Sequence, residues 1–406
     1  MRRARAPRPG RRRLRRPGAG VGRGSAAPAC RAPRPRAATR PGRCGPGASA
    51  LVRTVCFGPS WRLDLAPPVV LLRRAAPAGS AGFWGAGWLA GVRWSGVRDV
   101  PVIDVEAVRV RLARRFGPEV ADWCAGLPAL ADEVARRWGL RLGGVWPKGG
   151  TSVVMPCESD DGEPLVLKLT PDLKIAADEA AALDAWMARR HVVMLHDADL
   201  DRGALLLERV LPGTRLADEP DRWPLEEAVP VLSGLWPRPP RLGGGSGLPE
   251  LRERSEFVFE MTRRRLEQHP AVAGRVPPDL VEGSRNLASV LAAEGPVRLL
   301  HGDLHPGNVL RGGDRRGLVA IDPRPCLGDP AFDAVDWVLA DGGGEQAVQQ
   351  RIDWLAGRVD GLDPGRAWAW CRAMAVVLAV ALLIGRGDDP VGEAMLALAR
   401  AAAEGS

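Results

Sequence analysis

The stretch His301-Gly302-Asp303-Leu304-His305-Pro306-Gly307-Asn308, followed by Ile321-Asp322-Pro323, decides how this chain folds. It sets an Asp, an Asn five positions later, and a second Asp at the end of the apolar run from Gly317 to Ile321. Phosphoryl transfer from a nucleotide needs these groups. One carboxylate accepts or orients an acceptor hydroxyl, while an amide oxygen and a second carboxylate hold the Mg²⁺ that bridges the phosphates. A Gly-Pro-Asn turn with Asp as a helix cap would use the same residue types. It would leave unexplained a third functional residue at the right distance, beyond a strand.

Asp303 to Asn308 has the Asp-x-x-x-x-Asn spacing of a kinase catalytic loop, and Asp322 stands where the metal-binding Asp of such a loop stands. Upstream, the sequence predicts a nucleotide-binding half. Arg141 to Trp146 and Ser152 to Cys157 read as strands around the turn Lys148-Gly149-Gly150-Thr151. Asp160-Asp161-Gly162-Glu163 then marks a hairpin into a third strand, Pro164 to Leu169. Gly149 and Gly150, with Thr151 beside them, would let backbone amides close over phosphates.

Lys168 shares one face of the third strand with Val166. In the helix that follows, Ile175 to Met187, Glu179 falls between Ile175, Leu183 and Trp186 on the apolar stripe, while Asp178 falls off it. An inward carboxylate needs a partner, and Lys168 is the natural one. Such a pair aims the ammonium at the α/β-phosphates. Val192 to His196 and Ala204 to Val210 supply two more strands. The second runs into Pro212-Gly213, where backbone groups of Glu208 and Val210 would meet an adenine edge.

Ala121 to Trp138 reads as one or two helices ahead of the sheet. Pro237 to Gly247 reads as an exposed loop, and Glu250 to His269, Pro278 to Ala293, Gln346 to Val359, Pro364 to Ile384 and Asp389 to Ala403 read as helices. His301 is expected to brace the catalytic loop, and His305 receives no role. Asp329 before Pro330 fits a helix cap as well as it fits a functional carboxylate. Ala373 to Ile384 is apolar for twelve residues, too short to span a bilayer, and is expected as a buried helix.

The formal charge of +9 misleads. Residues 1–100 hold many Arg and only Asp64 and Asp99 as acids, so the remainder is an acidic globular body. Residues 1–98 are expected to be a disordered Arg/Pro/Gly-rich extension, because nothing there could build a core. A start codon assigned too far upstream accounts for it. A nucleic-acid or membrane-surface arm and a targeting segment are the competing readings. Seven scattered cysteines, without metal-type spacing, favour free thiols and a cytoplasmic protein.

His301 to Asn308, Ile321-Asp322-Pro323, Gly328-Asp329-Pro330 with Asp333, Lys168 and Glu179 together resemble the aminoglycoside phosphotransferases. They most resemble the branch containing streptomycin 6-phosphotransferases and hydroxyurea phosphotransferases. The resemblance covers about residues 110–400. It implies an α+β, protein-kinase-like fold of two lobes: a small antiparallel sheet lobe over residues 99–210, and a larger, mainly helical lobe over 211–406 with the catalytic loop and acceptor site. It implies ATP and Mg²⁺, with Asp303 as the catalytic residue, Asn308 and Asp322 on the metal, and Gly149, Gly150, Thr151, Lys168, Glu179, Glu208 and Val210 around the nucleotide. The acceptor would be a small-molecule antibiotic such as streptomycin or hydroxyurea, with no nucleic acid or membrane partner for residues 99–406. Monomer and dimer both fit. A metabolite kinase acting on a sugar, choline or homoserine is the second reading, and a binding protein using the Arg-rich arm the third. Arg324 departs from the pattern, which has Lys after Asp-Pro. The charge is kept and the geometry changes.

Overall fold

The apolar and polar positions of the central strands sort onto two faces, and each face has its own cover. The computed structural model describes residues 101–187, 189–219, 225–236 and 247–404. The predicted extension over 1–98 and most of the predicted loop at 237–247 lie outside the described residues. Two helices come first, α1 (Val105–Phe116) and α2 (Ala121–Trp138). Strands β1 (Leu140–Leu142), β2 (Val153–Ser159) and β3 (Pro164–Leu169) follow, then α3 (Leu173–Ala185), β4 (Leu195–Asp199) and β5 (Ala204–Glu208). The five strands form one antiparallel sheet in the order β1-β2-β3-β5-β4.

The β2–β3 hairpin turns at Asp160-Asp161-Gly162-Glu163, as its composition predicts, with Gly162 at φ 82°. Because side chains alternate along a strand, Leu165, Leu167 and Leu169 join the core under α1 and α2. Val166 turns to the opposite face, toward α3 and the second half of the chain. Lys168 shares that parity.

The second half is mostly helical. It comprises α4 (Leu225–Leu235), α5 (Leu251–Gln268), α6 (Pro270–Ala273), α7 (Pro278–Glu294), β6 (Arg298–Leu300), β7 (Val309–Arg311), α8 (Gly313–Arg316), β8 (Leu318–Ala320), β9 (Cys326–Gly328), α9 (Val335–Leu339), α10 (Glu345–Ala356), α11 (Pro364–Arg386) and α12 (Pro390–Glu404). Two short antiparallel ribbons, β6-β9 and β7-β8, carry the loop at 301–308 and the turn at Asp322 between them. α11 packs against α5, α7, α10 and α12. It starts at Asp363, whose side chain accepts from the Arg366 N–H at 2.8 Å ahead of Pro364.

Several expectations are corrected. The first strand stops at Leu142 instead of Trp146, although the Trp146 N–H still reaches the Val154 carbonyl at 2.9 Å. Val192 to His196 is not one strand. Val192 bridges Ala320, and β4 begins only at Leu195. That apolar pair was claimed by the catalytic ribbon and not by the sheet. α11 is 23 residues and holds an 18-residue window of mean hydropathy 2.1, long and apolar enough to cross a membrane, so length does not argue against a span. Burial does: Trp370, Ala373, Val376, Ala379 and Val380 are enclosed by the neighbouring helices. α1 was not anticipated, and α4 only as a helix without bounds ahead of the loop at 237–247. α1 is rich in Arg, and α4 has Pro230 inside it.

Candidate active site

Three segments with no local relation in sequence meet in one cleft: the β3 strand, the loop after β6, and the turn after β8. β3 delivers Lys168 and α3 delivers Glu179. α3 is started by Asp172, whose carboxylate accepts from the Lys174 and Ile175 N–H groups at 3.0 and 3.1 Å. Glu179 faces inward with no exposed surface, as the helical stripe predicts, and accepts from Lys168 Nζ at 2.7 and 2.5 Å. Asp178 lies outside and pairs with Lys174. Lys168 Nζ also reaches Asp322 Oδ1 at 2.6 Å, joining residues 154 positions apart. Burial disfavours the Lys168 charge, but the Asp322 and Glu179 carboxylates outweigh it and hold the ammonium protonated.

Asp322 has φ 55°, the single non-glycine residue with positive φ among those described. Backbone strain of this kind costs on the order of 1–3 kcal/mol and collects at functional positions. Burial would raise its carboxyl, but Lys168 and Arg324 hold it far below the usual range. Beside it, the Ile321 N–H donates to the Asn308 carbonyl at 2.9 Å, so Asn308 and Asp322 are neighbours across the β7-β8 ribbon. A carboxylate and an amide oxygen carried by neighbouring segments are hard donors, the type Mg²⁺ takes. The residues present therefore fit that ion.

The catalytic loop is fixed from several sides. Gly302 has φ 72°, and a Cβ there would come within 2.1 Å of the Arg324 carbonyl, so only glycine fits. Asp333 accepts from the N–H groups of His301 and Gly302 at 2.8 and 2.9 Å and from Trp236 Nε1 at 3.4 Å. Burial pushes the Asp333 carboxyl up to about 6. His301 is fully buried, donates from Nε2 to the Ile321 carbonyl at 3.1 Å and stacks on Trp186. Burial holds its imidazole neutral, with the pKa pushed down to about 4. It braces the loop, as expected.

Asp303 accepts from Asn308 Nδ2 at 3.2 Å and from Arg254 Nη2 at 2.8 Å, while Arg254 Nε holds the Gly302 carbonyl at 2.8 Å. Burial would raise the Asp303 carboxyl, but the Arg254 guanidinium prevails and lowers it. His305 Nδ1 accepts from the Gly307 N–H at 3.0 Å, which leaves Nε2 as the protonated nitrogen, 4.0 Å from Asp303 Oδ2. Asp329 proves structural. It caps Ala331, accepts from Trp370 Nε1 at 2.8 Å and is paired with Arg366.

The glycine turn is also braced from outside the sheet. Gly149 has φ 118°, and its carbonyl and that of Ser152 both accept from Arg111 on α1. Thr151 is buried, with its carbonyl held by Thr170 Oγ1 at 2.8 Å and its hydroxyl by Arg324. Glu208 is partly a correction. Its N–H donates to the Met194 carbonyl at 2.9 Å, which withdraws that group from any adenine contact, and its carboxylate pairs with Arg316. Val210 is buried at the end of the same segment.

Sequence reasoning missed Arg254, Arg111, Arg115 and Asp336. Arg115 from α1 and Arg254 from α5 lie over the same Phe257 ring, at 5.3 and 5.7 Å. Asp336 is raised by burial and has His305, Asp303 and Arg254 as its charged neighbours. None sits at a fixed spacing from the catalytic loop, so pattern alone offered no signal.

Residues 137–383 match the family described as aminoglycoside/hydroxyurea antibiotic resistance kinase. A hydroxyurea phosphotransferase from Kitasatospora aureofaciens is 37% identical over 277 residues, covering 66% of this chain and 77% of the relative. A streptomycin 6-kinase from Streptomyces glaucescens is 34% identical over 272 residues, covering 65% and 86%. Among solved structures, a choline kinase from Streptococcus pneumoniae aligns with a TM-score of 0.48 at 14% identity, covering 70% of this chain and 100% of that one. With its catalytic loop, ribbon and Lys–Glu pair in place, this chain belongs to the aminoglycoside/hydroxyurea antibiotic resistance kinases, and is a phosphotransferase of kinase-like α+β fold.

Proposed function

We propose that this enzyme transfers the γ-phosphoryl group of ATP to a hydroxyl of a small antibiotic, streptomycin-like or hydroxyurea-type, in the cytoplasm. The observation that carries the reading is the convergence of Lys168, Glu179 and Asp322 within 2.7 Å contacts, beside a catalytic loop held by Arg254 and Asp333. The sheet lobe, residues 99–210, holds the nucleotide, and the helical lobe, 211–406, holds the acceptor.

In this assignment Lys168 aims its ammonium at the α/β-phosphates, positioned by Glu179. Gly149, Gly150 and Thr151 cover the phosphates with backbone groups. Val210 and the remaining backbone near Glu208 face the adenine edge. Asn308 and Asp322 would hold Mg²⁺, which would supply neutralisation of the phosphate charge. Asp303 orients the acceptor hydroxyl and takes its proton late, because a carboxylate held ionised by Arg254 is a weak base. Positioning and electrostatics therefore carry more of the rate than proton abstraction.

Incubation with Mg·ATP and a panel of streptomycin, other aminoglycosides, hydroxyurea, choline and homoserine tests the acceptor. A phosphorylated antibiotic is expected. Product from choline or homoserine alone would replace the antibiotic reading with the metabolite one.

Arg254→Gln removes the cation that lowers the Asp303 carboxyl, so the Asp303 pKa rises. Since Asp303 must be ionised to receive the proton, the acid limb of kcat/KM is expected to move to higher pH. A pH profile with an unmoved acid limb would place that titration elsewhere.

Among the described residues the first element begins at Val105, and the family match begins at residue 137. A chain starting at Val100 is therefore expected to stay soluble and to bind ATP as the full chain does. Loss of nucleotide binding on that truncation would give residues 1–98 a part in the site.

A further inference from the structure

Arg324 holds the Thr151 hydroxyl and lowers the Asp322 carboxyl, yet it has no part in the transfer as assigned. Its N–H donates to the His301 carbonyl at 2.8 Å, and its own carbonyl lies against Gly302. The side chain is 16% exposed. Its guanidinium donates from Nη2 to Thr151 Oγ1 and stands 3.6 Å from Asp322 Oδ1. Asp303, Glu179 and Asp172 complete the carboxylates around it. The group therefore lies between the turn at Thr151 and the Asp322 carboxylate. In the assignment above, that is the side of the turn and carboxylate on which the γ-phosphoryl group would stand.

Lys168 is already engaged, its ammonium held by both Glu179 oxygens and by Asp322 Oδ1 at 2.6 Å, so a second cation is needed for the γ-phosphoryl oxygens. The contacts Arg324 makes are ones a nucleotide can replace. Thr151 belongs to the turn over the phosphates, and 3.6 Å to Asp322 is too long for a hydrogen bond. A planar guanidinium also matches two phosphoryl oxygens at once, which a point-charge ammonium does not.

We propose that Arg324 is a catalytic residue that binds the γ-phosphoryl oxygens of ATP and stays with them during transfer. The proposal rests on the phosphotransferase reading above. In the step, the acceptor oxygen forms a bond to the γ-phosphorus as the bond from that phosphorus to the bridging oxygen breaks. The bonding pair leaves with ADP, and the hydroxyl proton passes to the Asp303 carboxylate. Arg324 exchanges no proton and compensates the charge on the equatorial oxygens.

Calorimetric titration of the parent protein, Arg324→Met and Arg324→Lys with Mg·ATP and with Mg·ADP tests this, alongside turnover of the phosphorylated antibiotic. Arg324→Met should bind ADP as the parent does, lose affinity for ATP at least tenfold, and lose roughly 10³-fold or more in kcat, the scale of arginine contacts to a transferring phosphoryl group. Arg324→Lys should fall between the two. Unchanged ADP affinity also reports an intact fold. Equal loss of ATP and ADP affinity, or none of either with near-normal kcat, would overturn the assignment while leaving the enzyme a kinase. A parent protein that binds neither nucleotide would overturn both.

Discussion

Asp303→Asn is expected to cut turnover by about 10²–10⁴-fold, the usual worth of a general base, while Mg·ATP binds nearly as it does to the parent protein. The expectation follows from where Asp303 sits. Its oxygens contact Arg254 and Asn308, and Lys168 pairs instead with Glu179 and Asp322. Asparagine keeps the size and can still accept from Arg254, so the loop held by Asp333 and Gly302 should survive. What is lost is a carboxylate able to orient a hydroxyl and receive its proton. Asp322→Asn should behave differently, weakening nucleotide affinity and Mg²⁺ dependence together, because Asp322 touches Lys168 and sits beside Asn308. Calorimetry with Mg·ATP beside ADP-release kinetics separates the two. Parallel losses in both variants would mean that the carboxylates do not divide the work.

Lys168→Ala should have the second large effect, on binding and on stability at once. It strands Glu179, which has no exposed surface and keeps only the more distant Arg324 guanidinium to set against burial and the Asp322 carboxylate. Removing one partner of a buried pair costs about 3–5 kcal/mol, because the remaining charge is left uncompensated. The pH dependence has a definite sign. Burial already raises the Glu179 carboxyl, and without the ammonium its folded pKa rises further above its unfolded value. The folded state then binds the extra proton, so stability is retained at low pH and lost as pH rises through the folded pKa. Urea unfolding should therefore show the variant closest to the parent in acid and furthest from it near neutrality. ATP affinity should drop sharply at every pH. A variant with parental ATP affinity would take Lys168 out of the site.

Much of this was legible because kinase chemistry is written in short spacings. Asp303 to Asn308 lies within one loop, Asp322 follows a single strand, and the inward turn of Glu179 is a property of one helix wheel. The β2–β3 hairpin was readable for the same reason, since its turn is local and marked by Gly162. What escaped was set by contacts distant in sequence. Arg254 meets Asp303 across 49 positions, and Arg111 meets Gly149 across 38. An Arg on a charged helix face looks the same whether it faces water or a carbonyl. Val192 misled for a related reason: an apolar residue states that it will be buried, and not which ribbon will bury it. Glu208 was read from its position in the hinge, and local propensity gives no account of an N–H already taken by Met194.

The most direct test is to identify the product. Parent protein and Asp303→Asn, each with Mg·ATP and streptomycin or hydroxyurea, would be followed by mass spectrometry of the antibiotic and by ADP formation. The account predicts an antibiotic carrying one added phosphoryl group per ADP formed with the parent protein, and almost none with Asp303→Asn at comparable ATP occupancy. ATP bound in the cleft but no phosphorylated antibiotic, or equal product from the Asp303→Asn variant, would contradict it.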